Sequence, residues 1–279
     1  MQKYVKSLKQ SLRLILALSA LGMGALANAA AAPELWEIWA DSDAESTIVV
    51  DHSAWDELLG TYVVSREDNL NLVSYKTISA ADTQKLVGYI DKLSSIDPAT
   101  LNPAEQMAYW INFYNALTIK VVTDYPKKKS ILRMGAKFFA IGPWDDKVAT
   151  VNDEEITLND IEHRILRPLF KDHRIHYAVN CASIGCPNLA PKAYTGVNLE
   201  EMLVAAEHDY LHHARGVTFD SKGRLLLSQI FEWYGDDFAD DEAGVVAYIA
   251  ENHDDLGEKI ANYDGKVRYD YDWSLNVTE

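Results

Sequence analysis

The sequence predicts an α+β fold: a single compact domain with a helical N-terminal half packed on a mainly antiparallel sheet. Helical hydrophobic spacing dominates as far as Pro126. Segments rich in β-branched and aromatic residues, RIHYAVNC, RLLLSQIFEW and KVRYDYDWSLNV, come later. Helices and strands therefore follow in runs and do not alternate, which argues against a doubly wound parallel sheet.

Residues 1–29 read as a secretory signal peptide. Lys3, Lys6, Lys9 and Arg13 precede the apolar run LILALSALGMGAL, and Ala27-Asn28-Ala29 supplies a small-residue cleavage site. The run is short for a bilayer, and no other segment approaches the roughly 18 apolar residues of a transmembrane helix. The expectation is an exported chain, periplasmic or secreted, with no stable membrane insertion after cleavage, in a space where disulfides persist. Cleavage removes four positive charges and no acids, taking the formal charge from −16 to −20. An acidic protein of that kind repels nucleic acid and anionic lipid, so neither is an expected partner. Residues 30–50 form a lead-in and residues 51–279 the domain; with 48% hydrophobic residues the chain can build one sizeable core.

In order along the domain, DHSAWDELLGTYV begins a helix on the spacing of Trp55, Leu58, Leu59 and Val63. SAADTQKLVGYIDKLSSI gives a second helix capped by Ser79. NPAEQMAYWINFYNALTIKVVTDYP gives the longest, opened by Pro103 and closed before Pro126. KFFAIGPWDDKVATV reads as strand, turn and strand, and ITLNDIEHRILRPLF as a helix whose Thr157 and Asp160 fit a capping box. RIHYAVNC reads as a buried strand and NLEEMLVAAEHDYLHHARG as a helix ended by Gly216. RLLLSQIFEW and KVRYDYDWSLNV are further strands, with the helix AGVVAYIAENH between them.

Three places break the pattern of apolar inside and polar outside. In the longest helix, Asn112 and Asn115 fall among apolar side chains on a helix that is apolar all round. Such amides either orient a catalytic group or clamp a substrate, or they tie the helix to a neighbouring backbone. In ITLNDIEHRILRPLF, at about 100° per residue, Glu162 lies inside the apolar arc and His163 at its margin, half-buried. Glu162 is then either a tuned carboxylate or the partner of Arg167, Arg174 or another arginine. The third place is YAVNCASIGCPN, which holds both cysteines of the chain, Cys181 and Cys186. If this is a strand, His176 faces away from Cys181. The small residues after Cys181 suit backbone N–H groups converging on an oxyanion.

The cysteines admit a local Cys181–Cys186 disulfide or a nucleophilic Cys181 activated by His163. A redox pair would want closer spacing. A zinc site would need more ligands than the cysteines supply, and no motif links them to His208, His212 and His213, which read as a solvated helix face. No metal and no cofactor is called for.

The succession DHSAWDELLGTYV, AYWINFYNALTIKVV, ITLNDIEHRILRPLF, RIHYAVNCASIGCPNLAPKAY, IFEWYGDDF and YDYDWSLN resembles the domain of unknown function 547 family over Asp51 to Asn276. The resemblance carries no established activity with it. It implies that the WINFYNA, IEH and NC segments are shared features, which here are Trp110, Asn112, Tyr114, Asn115, Glu162, His163, Asn180 and Cys181. Cysteine, histidine and amide groups in an α+β chain also resemble papain-like and transglutaminase-like enzymes. The order would be rearranged, because His163 precedes Cys181.

The expected function is a thiol-dependent hydrolase or acyltransferase acting on an amide or ester. Cys181 attacks, His163 moves the proton and Glu162 holds the imidazole. Asn112, Asn115, Asn180, Trp110 and Tyr114 bind the substrate or its oxyanion. The alternative is a non-catalytic periplasmic binding module stapled by Cys181–Cys186, taking a peptide, glycan or small-molecule ligand. Asn276-Val277-Thr278 fits a glycosylation acceptor.

Overall fold

Trp55, Leu58 and Leu59 turn inward from α1 (Ser53–Tyr62), the first α-helix of the computed structural model, which describes residues 32–136 and 141–278. The expected signal peptide, residues 1–29, lies outside the described residues. Helix α1 runs into β1 (Val63–Ser65), which pairs antiparallel with β2 (Asn71–Val73). Ser79 caps α2 (Ala80–Ser94), its Oγ accepting the Asp82 amide at 3.0 Å. Asn102 caps α3 (Pro103–Asp124) in the same way through the Glu105 amide, and Pro103 occupies the first turn, where a missing N–H costs nothing.

Helix α3 is buried without interruption from Glu105 to Ile119. Its aromatic face stacks edge-on into its surroundings, Trp110 against Trp39 at 5.5 Å and against Tyr109 at 4.9 Å. Two cross-ties seat the helix at its start, where the Glu105 carboxylate accepts the Val50 and Gly196 amides, each at 2.7 Å. A side chain at Gly196 would collide with Glu105, so glycine is required there for close approach.

Of the strand, turn and strand expected in KFFAIGPWDDKVATV, only the second strand forms among the described residues, as β3 (Ala149–Val151), and it pairs forward with β4 (Glu154–Ile156), not back across the expected turn. Asn152 and Asp153 take φ of 47° and 66°, the left-handed geometry that closes a two-residue hairpin. Residues 137–140 of that stretch lie outside the described residues.

Thr157 then opens α4, a helical run over 158–170. The capping box is present: the Thr157 amide donates to Asp160 Oδ2 at 2.9 Å and the Asp160 amide to Thr157 Oγ1 at 3.0 Å. Asp160–Leu166 is wound as a π-helix before Arg167–Phe170 returns to α geometry. The π turns alter the angular spacing assumed for a regular helix, and His163 is fully buried beside Glu162, not half-buried at a margin.

RIHYAVNC is not a strand. Ile175–Ala178 forms a helical turn, α5, with Tyr177 N–H donating to Arg174 O at 3.0 Å and Val179 N–H to Ile175 O at 3.1 Å. The β-branched and aromatic residues mark burial there, and the backbone satisfies itself locally. Chain extension begins only at Val179.

Helix α6 (Leu199–Leu211) leads to β5 (Val217–Phe219) and β6 (Leu225–Ser228), which pair antiparallel. The segment RLLLSQIFEW is strand only to Ser228; α7 (Ile230–Trp233) and α8 (Gly235–Phe238) follow, then α9 (Glu242–Glu251) and α10 (Gly257–Ala261). Strand β7 (Arg268–Asp270) returns parallel to β6. Ala31–Glu279 is one compact unit with an α+β architecture, and its strands form three small sheets among the described residues. One hydrophobic cluster surrounds α3, and a second lies between the β5–β6–β7 sheet and helices α6 to α10. The thiol loop runs between them.

Candidate functional site

Asparagines hold the start of the loop after α5. Asn115 of α3 donates to the Ala178 carbonyl at 3.0 Å and accepts the Asn180 amide at 2.8 Å. Asn180 donates to the Pro187 carbonyl at 2.6 Å and accepts the Ala182 amide at 2.9 Å, which folds the chain tightly around Cys181. Ala182 carries φ of 59°, a left-handed conformation that alanine adopts at a cost, and the Asn276 amide bonds its carbonyl at 3.1 Å.

These bonds revise several expectations. Asn115 and Asn180 spend their amide groups on backbone and position Cys181 without reaching a substrate. Asn112 does the same elsewhere, clamping both the carbonyl and the amide of Tyr194 at 2.7 and 3.1 Å. Trp110 is wholly buried in the aromatic core, so it packs and does not line a ligand site. Asn276 is 1% exposed and its Oδ1 accepts from Tyr75, so the folded chain cannot be glycosylated there.

Both cysteines are free thiols, and the expected Cys181–Cys186 disulfide is not formed. The sulfurs are neighbours all the same: Cys181 N–H donates to Cys186 Sγ at 2.8 Å, and the two side chains hydrogen-bond each other. Cys181 is partly exposed, whereas Cys186 is buried with the Val179 carbonyl 3.8 Å from its sulfur. Around Cys181 Sγ stand Tyr271 Oη at 3.0 Å and Ser183 Oγ at 3.1 Å, with the Ser183 backbone N–H also directed at it. Burial alone would raise this thiol, but the donors from Cys186, Ser183 and Tyr271 outweigh burial and hold it below its ordinary 9.0. Burial and the neighbouring Cys181 push Cys186 well above that value. Of the pair, Cys181 is therefore the more acidic thiol and Cys186 the less acidic.

Arg215 adds positive charge to the rear of this loop. It donates to Asn188 Oδ1 at 2.7 Å and lies over the Tyr210 ring, and among the described residues it has no carboxylate partner.

A second polar group fills the space between α4, α5 and α8. Asp237 Oδ2 meets both Arg167 Nε and His176 Nε2 at 2.6 Å. His176 stacks on Tyr234 at 4.1 Å, and Arg167 lies over the same ring at 4.9 Å. Arg167 also donates to His163 Nδ1 at 3.1 Å, which leaves the proton of the neutral imidazole on Nε2. Arginine, and not Glu162, therefore orients His163.

Burial raises the Glu162 carboxyl, but His163, His176, Tyr234 and Arg167 outweigh it and keep the group ionised. Burial depresses His163 and His176 below their ordinary 6.5 despite the carboxylates beside them. The expected partners of Glu162 are thereby sorted: Arg167 contributes through space but pairs with Asp237, while Arg174 pairs with Asp172 and Glu200.

The two groups adjoin. Tyr114 and Tyr234 are both pushed well above 10.0, first by burial and then by Glu162, with Cys181 acting on each. Both phenols therefore stand within the electrostatic reach of the carboxylate and of the sulfur. Among the described residues, however, no hydrogen bond links Cys181 to His163, Glu162 or His176. The direct Cys181–His163 contact expected of a triad is not made. Cys181 also starts no helix, unlike the cysteine of a papain-like arrangement.

His176, Asp237, Ser183, Tyr271 and Tyr234 were not among the expected site residues. His176 Nδ1 is the most informative of them: it is buried and meets no partner among the described residues, while Nε2 is bound to Asp237. The sequence signal was present in the clustered aromatic and acidic residues of IFEWYGDDF and YDYDWSLN, which were read only as strands and as blocks of the family resemblance.

No curated protein and no solved structure matches the chain. The model of the family described as protein of unknown function, DUF547, matches residues 98–211. That span contains α3, α4 and the Cys181 loop but stops short of Tyr234, Asp237 and Tyr271, and over it the match supports membership of the DUF547 family.

Proposed function

We propose that the protein is a thiol-dependent acyl-transfer enzyme, a hydrolase or acyltransferase acting on an amide or ester. The observation that carries the reading is the set of donors around the Cys181 sulfur. A thiolate stabilised by Tyr271, Ser183 and Cys186 is ready to attack without a histidine bonded to it.

In the proposed reaction the Cys181 sulfur adds to the carbonyl carbon, and the carbonyl π electrons move to oxygen. Collapse of that adduct breaks the bond to the amine or alcohol, which leaves with a proton taken from water. The resulting thioester is cleaved by water or by an acceptor, which loses its proton to His176 and bonds to the acyl carbon as sulfur departs as thiolate.

The proton is assigned to His176. Its Nε2 bonds the Asp237 carboxylate and its Nδ1 lone pair is free, which is the tautomer a base needs. His163 has the opposite tautomer and suits donation from Nε2–H to a developing oxyanion. Among the described residues no direct bond joins sulfur and imidazole, so substrate or water carries the proton between them.

Export rests on residues 1–29 and belongs to the same proposal; N-terminal sequencing of the mature protein tests it. Among the described residues, no helix is long and apolar enough to cross a membrane. The activity test is a panel of activated esters and amides assayed with wild type, Cys181→Ser and His176→Gln. Turnover should vanish in the first and fall by about a hundredfold or more in the second. Full activity of Cys181→Ser would end the proposal.

A further inference from the structure

The C-terminal turn of α6 brings His208 and His212 together one helical turn apart, their rings stacked at 4.0 Å. Read along the sequence, they belong to a solvated face with His213. The fold changes that grouping. His213 turns away, its Nδ1 accepting the Arg215 amide at 3.1 Å. In its place the turn between α9 and α10 supplies Asp254, whose Oδ2 lies 3.6 Å from His208 Nε2 and 3.6 Å from His212 Nε2. One ligand atom from each of the three residues lies within 4.8 Å of the others.

We propose that His208, His212 and Asp254 form a binding site for zinc or a similar borderline divalent transition metal. Two imidazoles and one carboxylate are the donor set such ions take, with solvent completing the shell. In a tetrahedral site with bonds of about 2.0–2.2 Å, neighbouring ligand atoms stand roughly 3.3–3.4 Å apart. The two 3.6 Å separations therefore need to close by only a few tenths of an ångström.

The tautomer of His212 is already set for ligation. Its Nδ1 bonds the His208 carbonyl at 2.8 Å, one turn back on the same helix, so Nδ1 carries the hydrogen and Nε2 presents its lone pair. A carbonyl on the distal ring nitrogen is the usual support of a metal-bound histidine. That lone pair now accepts the Asp254 amide at 2.9 Å, so the metal would displace this bond, with the α9–α10 turn shifting as Asp254 swings in. His208 and Asp254 are 58% and 81% exposed, which leaves the site open to ions from solution. His253 packs on His212 at 4.4 Å and fixes its ring from the other side. Bound metal would fasten the end of α6 to the α9–α10 turn, two parts of the second hydrophobic cluster.

The test uses the full chain, freed of metal with a chelator and titrated with zinc alone, with magnesium as the control ion. Wild type should bind one zinc per chain saturably and unfold at a higher temperature when loaded. His208→Ala and Asp254→Asn, at exposed positions where folding is unaffected, should each weaken binding by about tenfold to a hundredfold and lose most of the thermal shift. Cobalt(II) in place of zinc should give a spectrum of nitrogen and oxygen ligands. No saturable binding, unchanged affinity in both variants, or a cobalt–thiolate charge-transfer band, which would place the metal at Cys181 and Cys186, would each overturn the proposal.

Discussion

The hydroxyl of Tyr271 lies 3.0 Å from the sulfur of Cys181, although 90 residues separate them in the chain. Burial and the two cysteine sulfurs push the Tyr271 phenol well above 10.0, so it stays protonated with a hydrogen to offer the sulfur. Ser183 Oγ is 3.1 Å from both the sulfur and the Tyr271 oxygen, and its single hydrogen serves one of them at a time. Tyrosine is thus the donor least able to turn elsewhere.

Alkylation should expose this arrangement. Cys181 should react with iodoacetamide well below pH 9.0, with Cys186 unlabelled in the folded protein. Tyr271→Phe should slow the reaction at neutral pH by about tenfold, the worth of one hydrogen bond to a charged group. Mass mapping of the labelled peptide at several pH values is the measurement; equal labelling of both cysteines would contradict it.

The asparagine clamps should separate stability from reactivity. Asn115→Ala strands the Ala178 carbonyl and the Asn180 amide, and Asn112→Ala strands both backbone groups of Tyr194. Each should cost about 2–4 kcal/mol in urea unfolding, at roughly 1–2 kcal/mol per stranded buried group. Only Asn115→Ala should also change the alkylation rate of Cys181, because only its clamp borders the thiol loop.

Asp237 holds two buried bases at once. In Asp237→Asn, Arg167 and His176 lose their shared carboxylate in a place where neither can reach bulk water. Breaking a buried pair in this way costs about 3–5 kcal/mol, so the urea midpoint should fall sharply. A change within 0.5 kcal/mol, the size of an ordinary surface substitution, would show that the group is solvated.

Acid should destabilise the fold, beginning near neutrality. Burial depresses His52, His163, His176 and His253 below their ordinary 6.5. The native state keeps these rings neutral while the unfolded chain takes up protons around 6.5, so stability is full above that pH and declines below it. His163 and His176 each contribute a loss on the order of 1 kcal/mol per pH unit. Glu162, held below its ordinary 4.5, acts in the same direction at lower pH. Urea unfolding should therefore have a lower midpoint at pH 5.5 than at pH 7.5; an equal or higher midpoint would refute the assignment of these rings as buried and neutral.

Local chemistry was enough to read much of the framework. Ser79, Pro103 and the Thr157–Asp160 capping box mark helix starts by short-range chemistry, and α3 declares its burial by being apolar on every face. The WINFYNA, IEH and NC segments were likewise legible as the places where polar groups enter the core. Their roles were not, because an amide in a core has the same signature whether it meets a substrate or a neighbouring carbonyl.

Tertiary structure alone decided the rest. RIHYAVNC has β-forming residues, yet it turns as a helix because its burial comes from surrounding helices and not from a strand partner. The π segment buried His163, which a regular wheel leaves at the margin of the apolar arc, while Glu162 lies inside as the wheel gives. Asp237, Tyr271 and Asp254 reach their partners from 42 to 90 residues away, distances over which periodicity carries no information. Sequence determined which groups are costly to bury; the fold determined which of them share that cost, because pairing depends on where the packed backbone brings side chains together.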